Sequence, residues 1–235
     1  MAVDCVAVLA AMRLEIKPLV QAYNLQREEV NGAALYRGKA GITEVVATTM
    51  SMGTAAAAAA TERILDAANV DHLICIGVAG GLGPSVKVRD LIVPEVVIDG
   101  ATRTEYRPAP LPGFTPRGKM WTSDDFETDP IVLQPLADEG VVALDMETAA
   151  IAQVCERRGV PWSVARGLSD HVVDAPVEHA VMGLARPDGS ANVGALVRYV
   201  LPKPWRLKYL AGLAKNSTAA ANASVDAVRQ ALPAL

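Results

Sequence analysis

Four charged side chains stand where an apolar core would carry none: Glu15, Glu147, Arg166 and Asp170. Arg166 is the most telling, because it sits inside 162–168 (WSVARGL), an otherwise apolar, β-rich run. A guanidinium in such a strand costs several kcal/mol unless a carboxylate meets it. Asp170 follows the end of that strand, beside Ser169, and Glu147 precedes the helix before it. Glu15 lies just past the first strand, where α/β folds gather ligand groups. Acids at the joints of core elements are candidates both for meeting the buried charge and for acid–base chemistry. Spacing alone also allows a plainer reading of Glu15, as a first-turn carboxylate favoured by the helix dipole.

The elements that must position these groups follow from periodicity. Residues 3–11 form a short apolar strand, and from Leu14 the pattern turns helical, with Pro18 in the tolerated early turns. Runs 35–39 and 43–49 make a hairpin around Gly41. Met50-Ser51-Met52-Gly53-Thr54 then leads into an alanine-rich helix from 55 to about 69, and such a small-residue turn is able to hold an anion or hydroxyl on free N–H groups. Residues 70–77 read as a buried strand and the glycine-rich stretch after it (VAGGLGP) as a loop that lets a ligand approach backbone closely. Residues 102–119 are proline-rich and polar, a surface flap. Phe126, one of two phenylalanines, stands beside Asp124 and Asp125, either as a satellite core residue or as a stacking surface for a flat ligand. Residues 141–170 read as strand end, helix from Met146–Glu147, Gly159 stop and strand. A helix over 193–200, a Pro202-Lys203-Pro204 break and a long helix over 205–232 complete the chain. The start of that last helix mixes Trp205, Leu207, Tyr209, Leu210 and Leu213 with Arg206, Lys208 and Lys215. Such a basic amphipathic segment packs on its own domain or makes transient contact with a membrane surface.

Composition narrows the classes. The chain has 235 residues, 51% apolar but only 4% aromatic, so Ala, Val and Leu do the packing, as in an α/β protein. A net charge of −4 removes the electrostatic footprint of a nucleic-acid binder. Three scattered cysteines, Cys5, Cys75 and Cys155, fit reduced thiols of a cytoplasmic protein rather than a disulfide frame or zinc cluster. No signal peptide or spanning helix is expected. The glycine cluster fails the GxGxxG spacing and is followed by Pro84 and β-like residues, which argues against a dinucleotide site. His171, Asp174, Glu178 and His179 are metal-capable types without a tight pair, so no metal site is expected. Alternating strands and helices without a linker predict one α/β domain over 1–235, with a helical extension from about 203.

Taken in order, AAMRLE, IGVAGGLGPSVKVRDLIVP, LDMETAAIAQVC and VPWSVARGLSD resemble the superfamily of purine nucleoside phosphorylases and methylthioadenosine/S-adenosylhomocysteine nucleosidases. The resemblance implies a three-layer αβα domain with a mixed, partly barrel-like sheet, usually a dimer or higher oligomer, without a cofactor although phosphate serves some members as co-substrate. It implies that Asp170, with Ser169 beside it, protonates or hydrogen-bonds purine N7. It implies that Glu147 holds the ribose hydroxyls with Met146 against the sugar, and that Glu15, next to Met12, activates water. Arg166 matches the arginine near that glutamate, Phe126 the contact to the base, and Gly53 and Val78 fall in substrate-binding turns. Breaking the C1′–N9 bond puts positive charge on ribose and negative charge on purine. A protonated acid at the base and ionised carboxylates at the sugar suit that transition state.

Departures refine the expectation. Phosphorylases carry a GDPxR-type loop whose arginine grips phosphate; MRLEIKP stands here instead, which favours water, unless Arg37 or Arg103 takes over phosphate binding. Val78 replaces the serine of the small-substrate nucleosidases, and Ser51 replaces a glycine of their SGIG turn. With GVAGGL and the pattern after Pro204, the chain is most similar to the hopanoid-associated branch, which implies adenosylhopane, a lipid-tailed adenine nucleoside, as substrate.

Overall fold

Strand β1 (Cys5–Ala10) shows how the molecule is layered. Its side chains alternate with period two: Cys5, Ala7 and Leu9 enter one apolar cluster, Val6, Val8 and Ala10 another. The first cluster is completed by helices α2 (Thr54–Ala67) and α4 (Thr148–Arg158), through Ala57, Ala60, Ile64, Ile151 and Val154. The second is completed by α1 (Arg13–Ala22) and α5 (Arg206–Ala231), through Ile16, Leu19, Val225 and Val228. Helices thus cover both faces of one sheet, the αβα arrangement expected. The computed structural model describes residues 3–30, 32–125, 127–172 and 206–235, with side chains of the last helix from 210. Phe126, Asp174, Glu178, His179, the helix expected over 193–200, the Pro202–Pro204 break, Trp205 and the side chains of 206–209 lie outside them. Leu210 and Leu213 are half-buried, and from Ala220 onward α5 packs against the sheet.

The sheet is mixed and eleven-stranded, ordered β2-β3-β4-β1-β5-β10-β9-β7-β8, with β11 on β5 and β6 on β11. Its strands are β2 (Gln26–Val30), β3 (Ala33–Ala40), β4 (Thr43–Thr49), β5 (His72–Gly81), β6 (Leu91–Ile92), β7 (Val96–Asp99), β8 (Glu105–Tyr106), β9 (Lys119–Thr122), β10 (Val141–Asp145) and β11 (Trp162–His171). A further helix, α3 (Pro130–Asp138), is capped by Asp129, whose side chain accepts from Ile131 N at 2.9 Å. The branch point is β5. Its first half runs parallel to β1, its last two residues pair antiparallel with β10, and β11 follows it along most of its length.

Two expectations need correction here. The glycine-rich stretch after Gly77 is no loop, because β5 continues through Gly81. Pairing with β11 on one side and β10 on the other outweighs the poor strand preference of glycine. Second, β2 was not foreseen. Its sequence QREEV has no apolar alternation, since it is an exposed edge strand hydrogen-bonded to β3 alone.

Among the described residues, no helix is long and apolar enough to cross a membrane, and no three His, Cys, Asp or Glu are grouped to hold a metal.

Candidate active site

The C-terminal ends of β1, β5, β10 and β11 converge on a cleft of about 830 Å³, its open mouth included. Its walls bring together eight of the ten residues expected to form the site; of the other two, Gly53 borders it and Phe126 lies outside the described residues. Glu15, Glu147, Arg166, Asp170, Met12, Met146, Ser169 and Val78 all line it.

Glu15 is held by its own helix start. Met12 is the N-cap of α1, and Glu15 Oε2 accepts from Met12 N at 2.8 Å, the backward half of a capping box. Its other oxygen accepts from Val78 N at 2.9 Å, so the carboxylate bridges β1 and β5. It is 1% exposed. Burial pushes its pKa up from the ordinary glutamate value, against the Arg166 charge and the N–H donors, which pull it down. The bridge exists because residue 77 is glycine. Gly77 has φ of 133°, and a Cβ there would lie 2.7 Å from both Arg166 Nη1 and Glu15 Oε1.

Arg166 is fully buried, and its ion-pair partners correct the sequence reading. Nη2 lies 2.6 Å from Asp145 Oδ2 and 3.1 Å from Glu147 Oε2, whereas Glu15 makes no ion pair with it and feels only its charge. Nη1 donates to Val78 O at 3.3 Å. The physical reason is register. Arg166 pairs with Gly77 on β5, and β10 runs on the other side of that strand's end, so the acid ending β10 comes nearest. Burial opposes the Arg166 charge, but Cys75 and the surrounding acids outweigh it and raise its pKa.

Asp145 is the residue that sequence reasoning missed. It accepts from Thr122 Oγ1 at 2.6 Å, from Thr148 N at 3.1 Å and from the Thr148 hydroxyl, all buried. The signal was available: an acid closing a strand, three residues before a threonine that starts a helix, in the same motif as Glu147. It holds the first N–H of α4, whose N-cap is Glu147, and clamps Arg166 at once.

Glu147 accepts from Gly53 N at 3.3 Å, which ties the α2 turn to the cleft. Gly53 has φ of 100°, and Ser51, standing where the resemblance puts a glycine, also adopts a positive φ, 68°. Asp124 fixes the same turn by accepting from Thr54 N at 2.8 Å and Thr54 Oγ1 at 2.6 Å. Burial is the main force raising the Glu147 pKa from 4.5 to about 7; Arg166 and Gly53 N–H oppose it, Asp145 and Glu15 add to it.

That shift makes a pH prediction. Between about 4.5 and about 7 folded Glu147 keeps a proton that the unfolded chain has released. Its contribution to stability is therefore full below the lower value and is lost as pH rises through the upper one. Glu15 acts in the same direction. Urea unfolding should give a lower stability near pH 8 than near pH 5.5, and Glu147→Gln should flatten the difference, on the scale of about 1.4 kcal/mol per pKa unit. An unchanged slope in that variant would remove Glu147 as the source.

Asp170 sits on a bulge. Leu168 pairs with Ala79 and Asp170 with Gly80, which leaves Ser169 as the extra residue. Bulges of this kind re-aim side chains at sites. Burial raises the Asp170 pKa, and the Ser169 hydroxyl donating to its Oδ1, with His171 nearby, moderates the rise. Arg166 pairs with Gly77 and Asp170 with Gly80, so the guanidinium–acid cluster and this second acid stand three residues apart along β5, about 10 Å. That is the span of a small two-part ligand.

Arg37 and Arg103, the alternative phosphate ligands, are engaged elsewhere: Arg37 with Glu28 and Glu44, Arg103 with Glu139. Among the described residues lining the cleft, Arg166 is the one cation.

A family model described as the phosphorylase superfamily matches residues 6–117 and 114–202. The chain belongs to the phosphorylase superfamily. Within it, the chain is 30% identical over 196 residues to the 5′-methylthioadenosine/S-adenosylhomocysteine nucleosidase of Tolumonas auensis, covering 70% of this chain and 85% of that one. The protein of the same name from Bacillus thuringiensis is 28% identical over 197 residues, with the same coverage of both chains. Solved superfamily structures share the fold. The nucleosidase of Colwellia psychrerythraea in complex with adenine superposes with a TM-score of 0.74 at 21% identity over 98% of this chain and 95% of that one. Futalosine hydrolase of Helicobacter pylori gives 0.75 at 19% identity over 99% and 98%.

Proposed function

We propose that the protein hydrolyses the N-glycosidic bond of an adenine nucleoside, with adenosylhopane as the favoured substrate. One observation carries the chemistry: three buried acids, Glu15, Asp145 and Glu147, surround a single guanidinium, about 10 Å along β5 from a fourth acid, Asp170, whose pKa burial raises. The acids around Arg166 suit a ribose that gains positive charge, and Asp170 with its raised pKa suits a purine that gains negative charge. In this reading Asp170 carries a proton to, or shares one with, N7 of the departing base. Glu147 accepts hydrogen bonds from the ribose hydroxyls, with Met146 against the sugar. Glu15 takes a proton from the attacking water; its raised pKa makes it the stronger base once ionised. Asp145 and Glu147 fix Arg166, whose charge keeps Glu15 ionisable despite burial.

Water rather than phosphate is the nucleophile on charge grounds. Three acids against one engaged guanidinium would repel a phosphate dianion. The reading needs no cofactor, and takes residues 1–235 as one cytoplasmic, self-associating domain with the last helix as its point of transient membrane contact. The lipid-tailed substrate is supported by the branch resemblance and by the apolar wall that Met12, Met52 and Val78 give the cleft. The names of the relatives support a second reading of the same chemistry, with methylthioadenosine or S-adenosylhomocysteine as substrate.

Adenine release from methylthioadenosine, S-adenosylhomocysteine and adenosylhopane, each with and without phosphate, tests these readings together. Release without phosphate, fastest from adenosylhopane, is the expected outcome. A preference for the small nucleosides would move the protein to the second reading. A strict phosphate requirement would make it a phosphorylase, and no release from any substrate would make it a purine-binding module.

A further inference from the structure

The Asp170 end of the cleft has a second wall, away from the three acids around Arg166. One row of residues crosses four neighbouring strands in register: Trp121 on β9 opposite Leu144 on β10, Leu144 opposite Gly80 on β5, and Gly80 opposite Asp170 on β11. All four line the cleft. The backbones of the outer two are three strand spacings apart, about 14 Å. The reach of an aspartate and an indole leaves between them a shelf as wide as a fused bicyclic ring. Its floor is Gly80 and Leu144. Glycine at residue 80 lets Val172 pack against that floor, since a Cβ there would lie 2.9 Å from Val172 Cγ2.

Trp121 closes the shelf as a braced wall. Its indole packs on Gly100, where a Cβ would fall 2.9 Å from Cε2 and Cζ2. The Arg103 guanidinium carbon stands 5.0 Å from the ring centroid, a cation–π distance. Arg103 Nη2 in turn donates to both Glu139 oxygens, at 2.8 and 3.0 Å. Arg103 adopts a positive φ of 62°, unusual for a residue with a side chain, and its N–H bonds Asp99 O at 2.7 Å. The sequence reading put the aromatic base contact on Phe126 and gave Trp121 no part.

We propose that Trp121 is a specificity-determining residue that recognises the planar heteroaromatic leaving group, with Arg103 and Glu139 as the brace that holds its indole in place. This rests on the nucleoside-cleaving reading above, with the base on the Asp170 side of the cleft. A fixed indole needs no ordering when the base arrives, so the contact acts mainly on binding.

The experiment compares wild type with Trp121→Ala and Trp121→Phe in adenine release from methylthioadenosine and in binding of free adenine, read by calorimetry and by tryptophan fluorescence. Trp121→Ala should raise KM and the adenine Kd about tenfold, the scale of one lost base–aromatic stack, while kcat changes less than threefold or so. Trp121→Phe should recover most of the affinity but lose the fluorescence change that adenine produces in wild type. It also covers the case in which the alanine variant fails to fold. Wild-type KM and Kd in Trp121→Ala, with wild type releasing adenine normally, would overturn the proposal and leave the nucleosidase reading standing. If wild type releases no base from methylthioadenosine, S-adenosylhomocysteine or adenosylhopane, it is the nucleosidase reading that fails. Trp121 is then judged on adenine binding alone: weakened binding in Trp121→Ala upholds it, and unchanged or absent binding overturns it.

Discussion

Asp170→Asn and Glu15→Gln each lower the rate of adenine release by on the order of 100-fold or more, with most of the loss in kcat. An asparagine at 170 keeps the shape and the bond from Ser169 but has no proton to give the base. A glutamine at 15 keeps the volume but cannot take a proton from water. The two variants differ in stability, and that difference follows from their hydrogen bonds. Glu15 accepts from two backbone N–H groups, of Met12 and Val78, one on each oxygen. An amide offers only one acceptor, so one buried N–H loses its partner at a cost of about 1–3 kcal/mol. Asp170 is less buried and, among the described residues, has no such pair of backbone donors to lose. Single-turnover assays with thermal unfolding of each variant read both effects; near-normal turnover in both would remove the assignment.

Asp145→Ala should be the most destabilising change in the site, by about 3–5 kcal/mol, because it breaks a buried ion pair from one side. Arg166 would keep Glu147 at 3.1 Å, Thr148 Oγ1 at 3.2 Å and Val78 O at 3.3 Å, all longer than the bond it loses. Its Nε already has no partner among the described residues. Thr122 and Thr148 would lose an acceptor as well. Against a total stability of about 5–15 kcal/mol this is a large fraction. Asp145→Asn keeps the acceptor and separates charge from shape. Removing the negative charge lowers the Glu147 pKa, which Asp145 helps to raise, so the limb of the pH–rate profile near about 7 should move to lower pH. A urea midpoint of Asp145→Ala equal to wild type would show that the clamp carries no weight.

Much of this site was legible because charge in an apolar strand is a strong signal. Arg166 had to have a carboxylate, and the acids at the joints were the places to look. What periodicity could not supply was the partner, since that depends on which strand lies beside β5 at the level of Gly77. The α/β class was legible from strands alternating with helices and from the aromatic-poor composition, and the αβα layering from the family resemblance. Three details were not: the edge strand β2, whose QREEV carries no apolar face; helix α3, whose PIVLQPLAD is interrupted by Pro135; and the run of β5 through Gly80 and Gly81, held by its neighbours on both sides. Trp121 was hidden because only the pairing register puts it in line with Asp170.

The hydrogen bonds that shape the cleft join distant parts of the chain. Val78 reaches Glu15 across 63 positions, Arg166 reaches Val78 across 88, and Gly53 reaches Glu147 across 94. Each closes a loop whose entropy must be met before the contact gives anything back. The segment from Asp145 to Asp170 carries Arg166 and its two ion-pair partners, but Glu15, Val78 and the Gly53 turn join it only once the sheet is whole. Occupancy of the cleft is then linked to folding itself: a nucleoside analogue held at both ends draws the population toward the native state, and melting temperature becomes a measure of affinity.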